Sequence, residues 1–347
     1  MVCAILFNMV EQLYIPSFDA AQLAGAVARL LSRISVELRP DVLDALREAL
    51  VVDENVRARR ALSMLVENAR IADSKGVPVC QDTGSVWVYL EVGYASGADA
   101  ADGGSQAAGD DAGAAPDSAP GSAPGSAPAV VVPGSNNTRQ PLAIPADIFS
   151  QVDSAIRWVS RDRALRRSML ADALTDRTNT GDNTPALCEL AFKPDLKGVR
   201  LTVMAKGGGS DNASQLAMLA PGGGWPAIKD FVLSAVSAKG ANACPPLIIG
   251  VGVGSTFDKV ASLSKQALLR PLGTTSQNDE IRQREAELLE AINNLGIGAG
   301  AMGGQTTALG VAIKTAACHI ASLPVAVSIG CCAMRSATVQ LTGEWCA

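Results

Sequence analysis

Apolar residues follow a helical spacing through the first part of the chain. Between residues 18 and 50 they recur every three or four positions, which predicts two helices, and Pro40 followed by Asp41 fits the start of the second. A third helix is expected from about Asp53 to Lys75, with Gly76 as its C-terminal stop. The helical spacing of apolar residues then ends. The sequences VPVCQDTG and SVWVYLEVG predict extended segments around a turn at residues 82–84.

Helical and apolar strand-like segments alternate in the second part of the chain. This alternation predicts a mixed α/β (α+β) fold of layered helices and short sheets, which we assign to a single catalytic domain over residues 1–347. Helices are predicted at 145–167, 226–239, 256–270 and 279–293, and strands at 198–205, 247–254, 307–315 and 324–330.

A low-complexity segment interrupts this domain. Residues 98–128 contain only Ala, Asp, Gly, Ser, Pro and one Gln, so they cannot bury enough apolar area to offset chain entropy. We interpret residues 98–141 as a disordered insertion within the domain. A linker between two domains is the alternative, which is disfavoured because residues 1–97 have too few strands for a sheet of their own.

Composition narrows the class of protein. Lys and Arg number 29 against 34 Asp and Glu, and hydrophobic residues make up 48%. These values predict a large core and no basic face for nucleic acid. The start, MVCAILFNMVEQLY, lacks the basic region of a signal peptide, and no apolar run reaches the roughly 18 residues that span a bilayer. We therefore expect a cytoplasmic protein with reduced thiols and no membrane association.

Three of the eight cysteines stand in loops with unusual backbone chemistry. Cys80 begins CQDTG, Cys244 precedes two prolines, and Cys331 follows the glycine that ends an apolar strand. Three thiolates from distant loops suit a cluster that leaves one metal position open. Each cysteine taken alone is more simply a small buried hydrophobe, an interpretation that fits Cys188 and Cys318 well.

Two glycine-rich segments and one histidine complete the candidate chemistry. The run at 207–209 in GGGSDN offers backbone amides that can bind an anion. The run GVGVG at 250–254 favours close helix–sheet packing over dinucleotide binding, because its spacing is not GxGxxG. His319 is the single histidine, and an apolar neighbourhood makes a structural role the simpler one.

Seven motifs in one order carry a family resemblance over residues 60 to 340. They are ENA leading into CQDTG, LRRS, NTGDNTPA, AKGGGSDN, ACPPLIIGVGVG, NNLGIG with GGQTTAL, and CHIASLPVAV with CCAMR. Together they resemble the α part of the iron–sulfur hydro-lyases, namely class I fumarate hydratase and L-tartrate dehydratase.

The resemblance implies a [4Fe–4S] cluster and a set of site residues. It implies cluster ligation by Cys80, Cys244 and Cys331, with Cys332 standing where the family has a histidine and not expected to be a ligand. It implies catalytic or orienting roles for Asp82 and His319. It also implies substrate contacts from Gln81, Arg166, Lys206 and Gly208. The sequence departs from the family pattern at Ser255, Gly330 and Arg335–Ser336.

The implied activity is the reversible hydration of a C4 dicarboxylate, fumarate to malate, with L-tartrate dehydration as the alternative. From another class, a non-catalytic iron–sulfur protein for electron transfer or sensing would need a fourth ligand, for which Cys332 is the candidate. The resemblance covers an α part alone, so we expect a separate β subunit and a higher oligomer.

Overall fold

The computed structural model describes residues 20–93, 147–194, 196 and 198–341, so the predicted insertion at 98–141 lies outside the described residues. The helices are α1 (Ala20–Val36), α2 (Pro40–Val52), α3 (Val56–Lys75), α4 (Ile148–Asp162), α5 (Gly208–Asn212), α6 (Gly224–Lys239), α7 (Phe257–Ala267) and α8 (Asp279–Asn293). The strands are β1 (Ser85–Gly93), β2 (Leu187–Lys193), β3 (Val199–Lys206), β4 (Gln215–Leu219), β5 (Leu247–Ser255), β6 (Ala308–Cys318), β7 (Leu323–Gly330) and β8 (Arg335–Leu341).

Local signals fix the ends of the N-terminal helices. Pro40 opens α2, as predicted. The Asn55 side chain caps α3 by accepting from the amides of Arg57 and Ala58. Gly76 ends α3 in the left-handed conformation, with φ of 62°, which confirms the predicted stop. None of the helices in the described ranges is both long enough and apolar enough to cross a bilayer.

The first sheet has the order β2-β1-β3-β8. Its strand β1 lies before residues 98–141, yet it pairs with β2 and β3, which follow them. Alternate residues of β1 face two different cores: Val88 packs with α1 and α4, whereas Trp87 packs with α2 and α3. Both faces of β1 are therefore covered, which explains its continuous burial.

The second sheet has the order β4-β7-β5-β6 and shares helix α7 with the first. A Cβ at Gly250 would stand 2.3 Å from the Ser264 carbonyl oxygen, and one at Gly252 would stand 2.6 Å from that of Val260. This confirms that GVGVG serves close packing of α7 on β5. On its other side α7 places the Lys265 ammonium 5.7 Å from the Trp87 ring centroid, so the helix joins the two sheets.

The mixed α/β prediction is confirmed, and the differences lie at the sheet edges. The strands β2, β4 and β8 were not predicted, because edge strands are partly exposed and lack an unbroken apolar run. The expected extended segment before the turn at 82–84 is irregular. The prediction that Cys318 is a core thiol is wrong: it ends β6 and is exposed, whereas Cys188 packs against the first core.

Candidate functional site

Both sheets direct one end toward the same place. The turn at 331–334 joins β7 of the second sheet to β8 of the first, and it carries Cys331. Cys244 lies three residues before β5, whose Ile248 pairs with Gly330. Cys80 lies in the loop that leads into β1. We call this region, defined by these three cysteines and their loops, the cysteine end.

The three thiols at the cysteine end influence one another. The amide of Cys332 donates to the Cys244 carbonyl over 3.1 Å, so two ligand loops touch. Burial raises the pKa of Cys244, and the neighbouring Cys80 thiol and Asp82 carboxylate raise it further. Burial likewise raises the pKa of Cys331, with additional effects from Cys80 and Cys244. Thiolates that raise one another's pKa repel one another, and a cationic metal centre would compensate this repulsion.

Three cysteine thiols are a donor set of the kind that holds iron–sulfur clusters in proteins. Among the described residues, no three His, Cys, Asp or Glu side chains could hold one metal ion. In a cluster each thiolate binds a different iron, so the sulfurs stand apart while sharing one centre. Cys244 is exposed and Cys80 is half-buried, so the site has an open side. Cys332 is buried, and burial raises its pKa strongly, as expected for a packed thiol.

Asp82 is fixed by backbone amides. Its Oδ1 accepts from the Gly84 amide over 2.9 Å, and its Oδ2 accepts from the Gly208 amide over 2.8 Å. A Cβ at Gly207 would come within 3.1 Å of that Oδ2, which is why a glycine allows the approach. The Gly208 amide, which the sequence suggested for an external anion, is thus engaged by the chain's own carboxylate.

Gln81 and Arg166 lie at the open side. Both are exposed, and the Thr83 hydroxyl donates to the Arg166 carbonyl oxygen over 2.6 Å, which ties the two loops together. The buried Asn183 supports this arrangement by accepting from the Ser168 amide over 2.7 Å. Asn183 belongs to the motif NTGDNTPA, which sequence reasoning from the residues alone treated as a plain turn.

Lys206 is buried, with 4% of its surface exposed. Its Nζ donates to the Ile329 carbonyl over 2.8 Å and lies 3.2 Å from an Asp211 carboxylate oxygen. Burial lowers the pKa of Lys206, and Asp211 opposes that shift. The ammonium therefore fixes the backbone near the end of β7, at Ile329, two residues before Cys331.

Arg335 is a buried cation that sequence reasoning did not assign to the site. It is 3% exposed, and its Nη2 donates to the Asp82 carbonyl over 2.7 Å. The only available signal was its position four residues after Cys331, where the sequence departs from the family pattern.

His319 lies far from the cysteine end of its own chain. It follows β6, whose Cys318 pairs with Ser255, whereas Gly330 pairs with Ile248. Seven residues of β5 separate these pairs, or roughly 23 Å at about 3.3 Å per residue. Residues 315–321 are all exposed, and we call them the histidine end.

The sequence matches a protein family and named relatives over most of its length. The family model described as "Fumarate hydratase (Fumerase)" matches residues 24–107 and 129–340. A protein of Methanocaldococcus jannaschii named "Putative L(+)-tartrate dehydratase subunit alpha" is 32% identical over 323 residues, covering 92% of this chain and 98% of that protein. The "L(+)-tartrate dehydratase subunit alpha" of Escherichia coli strain K12 is 27% identical over 326 residues, covering 93% and 92% respectively.

These matches define the class of protein. The chain belongs to the fumarate hydratase (Fumerase) family, which places it among the hydro-lyases.

Proposed function

We propose that this chain is the α-type subunit of a [4Fe–4S] hydro-lyase that adds water to, or removes it from, a C4 dicarboxylate. The observation that supports the proposal is that the loops of Cys80, Cys244 and Cys331 lie at one end of both sheets, although 164 and 87 positions separate these residues along the chain. The thiols of these residues are the proposed cluster ligands.

The bound cluster supplies a Lewis-acidic iron at the corner that no cysteine holds. Around it, the exposed Arg166 guanidinium is free to pair with a substrate carboxylate, and the Gln81 amide is placed to donate or accept beside it. The amides of Gly84 and Gly208 hold the two oxygens of Asp82 in place, so we assign this carboxylate mainly to orientation of the loop of Cys80 against the loop of Gly208.

We assign His319 to the site of a second copy. At roughly 23 Å along its own sheet it cannot touch a substrate at its own cysteine end. Its Nδ1 accepts from the Ala321 amide over 3.1 Å, so the neutral ring carries its proton on Nε2. In a neighbouring copy this outward Nε2 would donate a proton to, or hold, the substrate.

Two substrates are candidates. The family description favours fumarate and malate, and the names of both relatives favour L(+)-tartrate. Both substrates are four-carbon diacids, so the chemistry proposed for Arg166 serves either.

A separate β subunit is part of the proposal. The relatives are named as alpha subunits. A diacid needs two cationic partners, and burial of Lys206 and Arg335 leaves Arg166 as the exposed cation of these three. A further cation is therefore expected from the partner subunit.

The test is anaerobic purification of this chain without a partner, followed by assays with fumarate, malate and L(+)-tartrate. We expect a bound iron–sulfur cluster and little turnover. Mössbauer spectra with each diacid should show one perturbed iron for the true substrate. Full turnover without a partner would overturn the split site, and a cluster with no iron that responds to any diacid would favour an electron-transfer or sensing protein.

A further inference from the structure

We propose that Arg335 is the counter-charge of the iron–sulfur centre. We also propose that it is a positioning residue that links the loop of Cys80 to the turn that carries Cys331. The inference rests on the proposed function, because it assumes that Cys80, Cys244 and Cys331 hold a cluster.

Arg335 is a buried cation without an anionic partner. Only 3% of the residue is exposed, its Nε is buried with no hydrogen-bond acceptor, and among the described residues no carboxylate lies within ion-pair distance. A buried charge that lacks an ionic partner is strongly destabilising. Other sheltered arginines of this chain are paired: Arg39 with Asp41, and Arg270 with Glu285.

The Asp82 carboxylate forms no ion pair with Arg335. Asp82 lies close by, but its two oxygens accept from the amides of Gly84 and Gly208, and only its backbone carbonyl meets Arg335. A carbonyl oxygen satisfies one N–H of the guanidinium and leaves its charge uncompensated.

The loaded centre would supply the missing anion. Arg335 directly follows the turn at 331–334 that carries Cys331, and its side chain reaches the loop of Cys80, so the guanidinium lies beside two of the proposed ligand loops. A cluster held by three thiolates carries net negative charge, and charge-assisted contacts to it are strongest in a sheltered site. Burial of Arg335 is thus explained if the loaded centre is its counter-ion.

Arg335 also spans two ligand loops. It is the first residue of β8, four residues after Cys331, and its Nη2 reaches the carbonyl of Asp82, two residues after Cys80. Fixing the guanidinium therefore fixes the distance between these loops, as residues that surround metal ligands commonly do.

The experiment compares Arg335→Met, Arg335→Lys and the control Arg270→Met in the full chain, each with the cluster loaded anaerobically and with iron removed. Met keeps the apolar stem and removes the charge, whereas Lys keeps the charge. The Arg270 variant breaks a sheltered ion pair that involves no cysteine. The readouts are iron release to a chelator, the reduction potential of the cluster, and the melting temperature of the iron-free protein.

For Arg335→Met we expect iron release to be roughly 10–100-fold faster and the potential to be more negative. The iron-free Arg335→Met chain should melt no lower than wild type, because it has lost an uncompensated charge, and Arg335→Lys should recover most of the potential. Arg270→Met should lower the melting temperature and leave the potential unchanged.

A merely structural Arg335 would give the opposite pattern. Equal loss of melting temperature in the iron-free and loaded forms of Arg335→Met, with unchanged iron release and potential, would overturn the inference. If the wild-type chain bound no cluster, the proposed function would fail and the inference with it; a wild-type cluster that Arg335→Met retains unchanged would defeat the inference alone.

Discussion

The cysteine end and the histidine end of the second sheet are built in different ways. At the cysteine end, loops distant in sequence are tied by buried polar contacts, such as those from Lys206 to Ile329 and from Arg335 to Asp82. At the histidine end, the contacts of His319 are confined to its own turn, with the amides of Ala321 and Ser322. Ile320 is 92% exposed.

This contrast separates a region whose side chains are held by contacts between distant parts of the chain from a region whose side chains are not. The cysteine end is organised by contacts within the chain, as the proposed metal site would require. The histidine end presents one exposed apolar side chain, that of Ile320, beside the single histidine, and it is the segment that we propose to act in a second copy. The predictions below test this division of roles.

The largest expected effect separates two cysteines at opposite ends of the sheet. Cys331→Ser should abolish stable cluster binding, because a hydroxyl replaces a thiolate ligand. Cys318→Ser, at the histidine end, should retain wild-type iron and sulfide. Iron and sulfide analysis after anaerobic loading measures both.

The comparison would break if Cys318→Ser also lost its iron or if Cys331→Ser kept a full cluster. Cys188→Ser adds a control in the first sheet, where burial, and next the charge of Asp153, raise the pKa of the thiol to about 11 and make it a poor metal ligand.

The second prediction concerns His319 acting in a neighbouring copy. His319→Gln and Cys331→Ser should each inactivate the enzyme, the first with normal iron content. When the two variant chains are co-expressed with the partner subunit, about a quarter of wild-type activity should return, because half of randomly formed pairs contain one intact site.

Activity should return only in pairs in which one copy carries His319→Gln and the other carries Cys331→Ser. Absence of any regained activity in mixed assemblies, when both variants fold and pair, would place His319 outside the neighbouring site. The reference is the activity obtained when the wild-type chain is co-expressed with a chain that carries both His319→Gln and Cys331→Ser.

Much of the fold was predictable because buried apolar residues recur at regular intervals along the sequence of a helix or a strand. Helix α8 begins and ends where predicted, and Gly76 stops α3, since periodicity and capping are local signals. The edge strands β2 and β8 left no such signal, because only pairing to β1 and β3 makes them strands.

The candidate site divides in the same way. Motif order predicts Cys80, Cys244 and Cys331 as a set, and this assignment remains a prediction that loading with iron will test. The burial of Arg335 and the position of His319 at the opposite end of the sheet follow from strand register, which a single sequence does not contain. Asn183 was overlooked because its buried hydrogen bond to the Ser168 amide joins two loops.

A third prediction concerns the buried carboxylate that joins the end of α2 to the loop before β6. Asp53 is fully buried, and its carboxylate accepts from the amides of Asn55, Gln305 and Thr306 over 2.9–3.2 Å. Asp53→Ala should lower the free energy of unfolding by about 3 kcal/mol, because three backbone amides lose their acceptor. Urea unfolding measures this, with Asp44→Ala on the exposed side of α2 as the control. Equal losses in the two variants would contradict the expected role.

The smallest predicted effect is pH-dependent and involves Asp41. This residue lies in the first turn of α2 and accepts a hydrogen bond from the Leu272 amide. Burial raises the pKa of Asp41, but the Arg39 guanidinium and the Leu272 amide lower it more, so its pKa in the folded chain lies below 3.8. Because the unfolded chain takes up the proton first as the pH falls, this contribution to stability is complete well above pH 3.8 and is lost below it. Asp41→Asn keeps one acceptor for the Leu272 amide and should cost about 1 kcal/mol at pH 7.

The difference between wild type and Asp41→Asn should therefore shrink as the pH falls below 3.8, in urea unfolding curves recorded at pH 7, 5 and 3. Glu37→Gln provides the surface reference, because the Arg33–Glu37 pair is exposed and should contribute less than about 0.5 kcal/mol at any pH. A difference that stayed constant from pH 7 to pH 3 would show that the charge of Asp41 contributes nothing, and that the contacts of Arg39 to the carbonyls of Leu268 and Arg270 join this region by themselves.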